Sequence, residues 1–115
     1  MSNYELGHIY YIDKAFEDDP SQSKRRPAII VDIDEQNDTI YTLVATTSQG
    51  RKDPPKHYDQ FKHPIINWRK SGFTEPSWAL CYSVVELPKE ALLDFVGTMD
   101  DGDYDRLLDF LESLD

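Results

Sequence analysis

The chain has a single cysteine, Cys81, in 115 residues, which excludes an internal disulfide framework and any cysteine-built metal cluster. Because Cys81 lies in the apolar run Ala79-Leu80-Cys81-Tyr82, a small buried side chain is expected there rather than a nucleophile. No apolar run approaches the length needed to cross a bilayer, and Met1-Ser2-Asn3-Tyr4-Glu5 has neither the basic nor the apolar part of a signal peptide. A cytoplasmic protein without membrane contact is therefore expected. Glycine is also scarce, with five residues and no phosphate-cradling cluster among them. The three histidines, His8, His57 and His63, are scattered, and no His/Cys set stands at metal-ligand spacing. No cofactor and no metal are expected.

Positive charge is the scarcer sign: 12 Lys and Arg face 22 Asp and Glu, for a net charge of −10. That balance opposes phosphate binding by the protein as a whole. Its distribution does not. Residues 71–115 hold Lys89 and Arg106 against eleven acids, a net −9, whereas residues 47–74 hold six cations against Asp53 and Asp59, a net +4. Adding Lys24, Arg25 and Arg26 makes the loops of the first half a basic region in an acidic protein.

What is present suits one domain spanning 1–115, with 39% hydrophobic and 12% aromatic residues. The chain organises around Lys24-Arg25-Arg26-Pro27-Ala28-Ile29-Ile30-Val31-Asp32, where three cations run into a short β-branched strand. Pro27 suits the first residue of that strand and pushes Arg26 into an extended conformation. A second run, Thr39 to Thr46, follows the turn-forming Glu35-Gln36-Asn37-Asp38. The two runs predict a hairpin, which returns Thr46-Thr47-Ser48 to the level of Arg25 and Arg26.

Around this hairpin, Gly7 to Asp13 reads as a first strand, and the polar stretch Lys14 to Lys24 as a long loop. Gln49 to Lys56 reads as a second exposed loop, Phe61 to Ile66 as a short edge strand that tolerates Pro64, and Asn67 to Phe73 as one helical turn ending at Gly72. Ser77 to Leu87 is the longest strand candidate, closed by Pro88; a short helix or turn at 89–94 and an extended piece at 95–99 follow. Asp100 is placed to cap a terminal helix with Asp101, Asp103 and Asp105 in its first turn. Tyr104, Leu107, Leu108, Leu111 and Leu114 form its predicted apolar face, with Asp105, Asp109 and Glu112 opposite. The fold class expected is mainly β (α+β): a small, strongly curved antiparallel sheet or barrel with a C-terminal amphipathic helix.

In order and spacing, Gly7-x-Ile9-Tyr10-Tyr11, Arg26-Pro27-Ala28-Ile29-Ile30-Val31, Val44-Ala45-Thr46-Thr47-Ser48, Pro76-Ser77-Trp78, Val84-x-x-Leu87 and Leu92 to Gly97 resemble the MazF/PemK (Kid) toxins of type II toxin–antitoxin systems. The resemblance covers nearly the whole chain and implies an SH3-like or CcdB-like barrel. It also implies a homodimer, a metal-independent endoribonuclease acting on single-stranded RNA at short sequences, and silencing by a cognate antitoxin protein. The family's arginine before the proline falls on Arg26, its threonine at the end of the third strand on Thr47, with Thr46 one place away, and its following serine on Ser48. His8 stands where aspartate is common, and Asp18-Asp19-Pro20-Ser21 replaces the usual glycine and Ser-Glu pair.

Metal-free RNA cleavage requires the ribose 2′-OH to attack the adjacent phosphate. Arg26 suits the charge that grows on the phosphate oxygens, because a planar guanidinium holds two of them at once. Thr47 suits a hydrogen bond to a phosphate oxygen or to the 2′-OH. Neither is a natural general base; His8, His57 and His63 are the histidine candidates, and His57 lies in the basic loop, where an exposed histidine is more often incidental. Lys24, Arg25, Thr46, Ser48, Arg51, Lys52, Lys56 and His57 complete the expected RNA-binding set, with Phe16, Tyr58 and Phe61 available to stack bases. Trp68 and Trp78 are expected in the core or a dimer contact. Two other functions fit the same residues: a binding module that captures a protein or nucleic acid without cutting, and a gyrase-directed toxin like CcdB.

Overall fold

The computed structural model describes residues 4–15, 23–36, 38–50 and 60–114. Six strands form one antiparallel sheet: β1 (His8–Ala15), β2 (Ser23–Asp34), β3 (Ile40–Thr47), β4 (Lys62–Ile65), β5 (Ser77–Pro88) and β6 (Phe95–Thr98). Their order across the sheet is β4-β5-β3-β2-β1-β6. A 3-10 turn at Lys89–Ala91 links β5 to β6, and helix α1 (Asp101–Ser113) follows β6. No helix of the described residues is long and apolar enough to cross a membrane.

The hairpin of β2 and β3 is in place, with Asp34 Oδ1 accepting the Gln36 N–H at its turn, 3.1 Å away. β1 and β2 run further than the polar sequence between them suggests. Asp13 pairs with Arg25, Lys14 with Lys24 and Ala15 with Ser23, so part of the expected 14–24 loop is ladder. Pro27 consequently lies inside β2 and not at its start.

Alternation along the strands fills two apolar clusters, one on each face of the sheet. Ile9, Ile29 and Val44 share one face with Ile65, Phe73 and Leu107 of the helix. Tyr10, Ile12, Ala28, Ile30 and Leu43 share the other with Leu92. Both faces are covered, which is why three successive residues of β2, Ala28, Ile29 and Ile30, are all fully buried.

The sheet does not close into the expected barrel, because β4 is only four residues long and the chain then turns. Ser71 N–H bonds to Asn67 O, Gly72 N–H to Arg69 O and Phe73 N–H to Trp68 O. These are the bonds of one helical turn stopped by a glycine in the left-handed region, with Gly72 at φ +99°. That turn, and not a strand, reaches β6. A side chain on Gly72 would come 2.7 Å from Val96 O, and one on Gly97 would meet the Ser71 carbonyl. Only glycines let the two backbones approach this closely.

Helix α1 begins at Asp100, whose side chain accepts the Asp103 N–H. The buried stripe is centred on Leu107 with Tyr104, Phe110 and Leu111 partly covered, while Leu108 and Leu114 of the expected apolar face are 36% and 41% exposed. The helix is rotated relative to that face because Asp103, one of the first-turn acids, is 1% exposed. Its carboxylate accepts Ile66 N–H at 3.0 Å, Asn67 N–H at 2.6 Å and Arg106 Nη2 at 2.7 Å, tying α1 to the turn after β4. Burial alone would push this carboxyl up; the Arg106 guanidinium and the two backbone N–H groups more than reverse that and hold it below the usual range.

Asp103→Ala leaves two N–H groups and a guanidinium without their acceptor and is expected to lower stability by about 2–4 kcal/mol, read from urea unfolding at neutral pH. Because the folded-state value is depressed, the carboxylate's contribution is complete above its unfolded-state value and disappears as pH falls through the folded one. The gap between wild type and variant therefore narrows below about pH 4.

Candidate active site

The site forms where β2 and β3 stop pairing. Tyr11 N–H bonds to Asp94 O and Tyr11 O accepts Leu93 N–H, so Tyr11 and Pro27 are a non-hydrogen-bonded pair of the β1–β2 ladder. The nitrogen and carbonyl of Pro27 thus face β3. The β2–β3 ladder ends there, at Ala28 opposite Ala45. Two side-chain bonds take its place: Thr46 Oγ1 donates to Pro27 O at 2.8 Å, and Arg26 Nη1 donates to Thr46 O at 3.3 Å. The β3–β5 register also breaks here, with Leu80 to Ser83 set against Ala45 alone. Such an irregularity bends a sheet and re-aims the residues beside it.

The outcome is a cavity of about 190 Å³ at this end of the hairpin. It gathers Lys24, Arg25, Arg26, Thr46, Thr47 and Ser48 from the expected set. Arg51, Lys52, Lys56 and His57 lie outside the described residues, as do Phe16 and Tyr58. Lys62, counted in the basic region of residues 47–74, is 7% exposed and donates to Gly50 O at 3.3 Å; β4 holds it inside, and it is not among the residues that line the cavity. Trp78 packs so closely on Gly50 that a side chain there would come 2.8 Å from the indole, and Trp68 packs on the core.

The structure separates the two threonines. Thr46 is 1% exposed, and its proton is committed to Pro27 O. The Thr47 hydroxyl accepts the Gln49 N–H at 3.1 Å, and no acceptor among the described residues takes its proton. Thr47 is the hydroxyl that can donate to a bound oxygen. Arg26 is half-buried and fixed through one nitrogen, which leaves its other N–H groups for a ligand. Arg25 pairs with Asp13 across the ladder at 3.8 Å, an exposed contact worth about 0–1 kcal/mol that an anion can displace.

Sequence reasoning did not place Tyr11, Phe73 or Glu75 here, yet all three line the cavity. The usable signal was Gly72 followed by Glu75-Pro76: a turn stop, then a residue held extended by the proline after it. Cys81 lies elsewhere, buried, and burial pushes its thiol up to about 12, which leaves it inert. Among the described residues no three His, Cys, Asp or Glu side chains converge as a metal site.

A family model described as PemK-like, MazF-like toxin of type II toxin-antitoxin system matches residues 5–114. The chain belongs to this family. Among solved structures, this PemK/MazF-like chain is similar to an endoribonuclease from mycobacterial species, with a TM-score of 0.68 and 16% identity over 98% of this chain and 91% of that one. It is also similar to a mycobacterial endoribonuclease in complex with its cognate antitoxin, with a TM-score of 0.69 and 15% identity over 96% and 92% of the two chains. For MazE-MazF from Deinococcus radiodurans the values are 0.66 and 15% over 99% and 96%. At these identities the likeness establishes the fold. No curated protein matches the sequence significantly.

Thr46→Val removes the bond to Pro27 O and is expected to lower stability by about 1–2 kcal/mol. Thr47→Val gives up only the bond from the N–H of exposed Gln49, which water can replace, and is expected to cost less, about 0.5–1 kcal/mol. Thermal unfolding of the two variants side by side checks the division between a structural and a site threonine.

Proposed function

We propose that residues 1–115 act as one domain, the toxin of a type II toxin–antitoxin pair, and that it is a cytoplasmic endoribonuclease cutting single-stranded RNA without a metal ion. The observation that carries this reading is the latch of Arg26 and Thr46, which sets a guanidinium and the Thr47 hydroxyl in one cavity. The scissile phosphate binds between them. Arg26 meets the charge that accumulates on the phosphate oxygens as the 2′-OH attacks, and does so already oriented, because Thr46 O fixes one of its nitrogens. Thr47 donates to a phosphate oxygen, while Lys24, Arg25 and Ser48 hold the neighbouring backbone. A cognate antitoxin silences the enzyme.

The chain acts as a homodimer in this reading, and the face that supports it lies between β5 and α1. Val84, Leu108 and Leu114 are 46%, 36% and 41% exposed there and line a groove with Leu111 and Cys81. No described strand pairs with the outer edge of β5 beyond Leu80. A second copy covers both the apolar groove and the open edge. Leu108→Glu is expected to convert the dimer to a monomer in sedimentation velocity, with the far-UV spectrum unchanged.

The central test is incubation of the protein with a long single-stranded RNA in EDTA. Discrete products with 5′-hydroxyl ends are expected from wild type, and a rate about 10²–10³-fold lower from Arg26→Ala. Intact RNA with folded wild type overturns the enzymatic reading in favour of a binding module.

A further inference from the structure

Arg26 and Thr47 leave the attack chemistry without a proton acceptor, since neither side chain takes up a proton near neutral pH. The cavity lining supplies one candidate. Of its described residues three are cations, and Glu75 is the single carboxylate.

Glu75 is presented by a segment held at both ends. On one side Phe73 is buried and its N–H is bonded to Trp68 O, behind Gly72, which is packed on the β6 backbone. On the other side Ser77 is buried, pairs with Ile65, and donates its hydroxyl to Glu75 O at 2.9 Å. Pro76 restricts the backbone between them. Thr74, Glu75 and Pro76 are exposed, Thr74 and Glu75 line the cavity, and Glu75 is the one ionisable group of the segment. An exposed carboxylate in a cavity that three cations also line serves no packing purpose.

Resting on the ribonuclease reading, we propose that Glu75 is the general base of the reaction. Its carboxylate takes the proton of the ribose 2′-OH. The 2′-oxygen–phosphorus bond forms, the phosphorus–5′-oxygen bond breaks, and the departing 5′-oxygen takes a proton from water. The products are a 2′,3′-cyclic phosphate and a 5′-hydroxyl end. Glu75 returns its proton to solvent, and no oxidant, metal or co-substrate enters the balance. Arg26 and the Thr47 hydroxyl act on the phosphate, and Glu75 acts on the ribose of the same nucleotide.

The test compares wild type, Glu75→Gln and Glu75→Asp on an RNA oligonucleotide that spans a cut mapped on long RNA. Binding is measured with the same oligonucleotide carrying a 2′-deoxyribose at the cut. Glu75→Gln is expected to lose about 10²–10⁴-fold in kcat, to bind the deoxy analogue as tightly as wild type or more tightly, and to lack the acid limb of the wild-type pH profile. Glu75→Asp is expected to recover part of the rate together with that limb. A Glu75→Gln enzyme with wild-type rate and pH profile overturns the assignment and leaves the ribonuclease reading standing. So does a rate loss matched by an equal loss in analogue binding. Wild type that leaves RNA uncut overturns both.

Discussion

Pro27 cannot donate a backbone hydrogen bond, and the site follows from the direction in which that missing donor points. Toward β1 it would break the ladder. Toward β3 it ends one. The Thr46 carbonyl is then left beside a nitrogen that has no hydrogen, and a buried acceptor in that position costs about 1–3 kcal/mol if nothing reaches it. The guanidinium of the residue just before the proline reaches it, and the Thr46 hydroxyl returns a bond to the proline carbonyl. The same gap that interrupts the sheet opens the cavity and immobilises the charge inside it. Arg26 is therefore a structural residue as well as a site residue, and the dipeptide Arg26-Pro27 works as a unit.

Much of this was legible where the determinant is local. The hairpin, the glycine stop at Gly72, the edge position of the strand containing Pro64, and the Asp100 cap each follow from a few neighbouring residues with known backbone preferences. The meeting of Arg26 with Thr46-Thr47 followed from strand lengths. What was not legible depends on partners far away in sequence. Lys14 and Ser23 read as loop because nothing local shows that their ladder continues. Asp103 reads as one more first-turn acid until Ile66 and Asn67, 37 and 36 residues away, aim their N–H groups at it. Lys62 counts toward the basic region of residues 47–74 until its pairing with Leu80 of β5 takes it inside. The barrel expected from curvature stays open because a four-residue strand gives way to the turn stopped at Gly72; the turn itself is local, but the strand pairing that would have closed the sheet is not.

The acidity of the chain and a phosphate-binding site are compatible because the two are carried by different elements. No residue of α1 lines the cavity, and Asp105, Asp109 and Glu112 face outward. Exposed charges separated by more than a Debye length, about 8 Å at physiological ionic strength, are largely screened from one another. Net charge then governs how often an RNA approaches, and the three cations around the cavity govern whether it stays.

The tie between Asp103 and the turn after β4 also bears on when the site comes into being. The segment carrying Glu75 starts from that turn, the turn rests on β6, and the carboxylate that fixes it belongs to α1. During synthesis the hairpin bearing Arg26 and Thr47 leaves the ribosome well before α1, so the early segments meet without the helix that covers one face of the sheet. Until α1 emerges, the turn from which the Glu75 segment starts lacks the carboxylate that holds it.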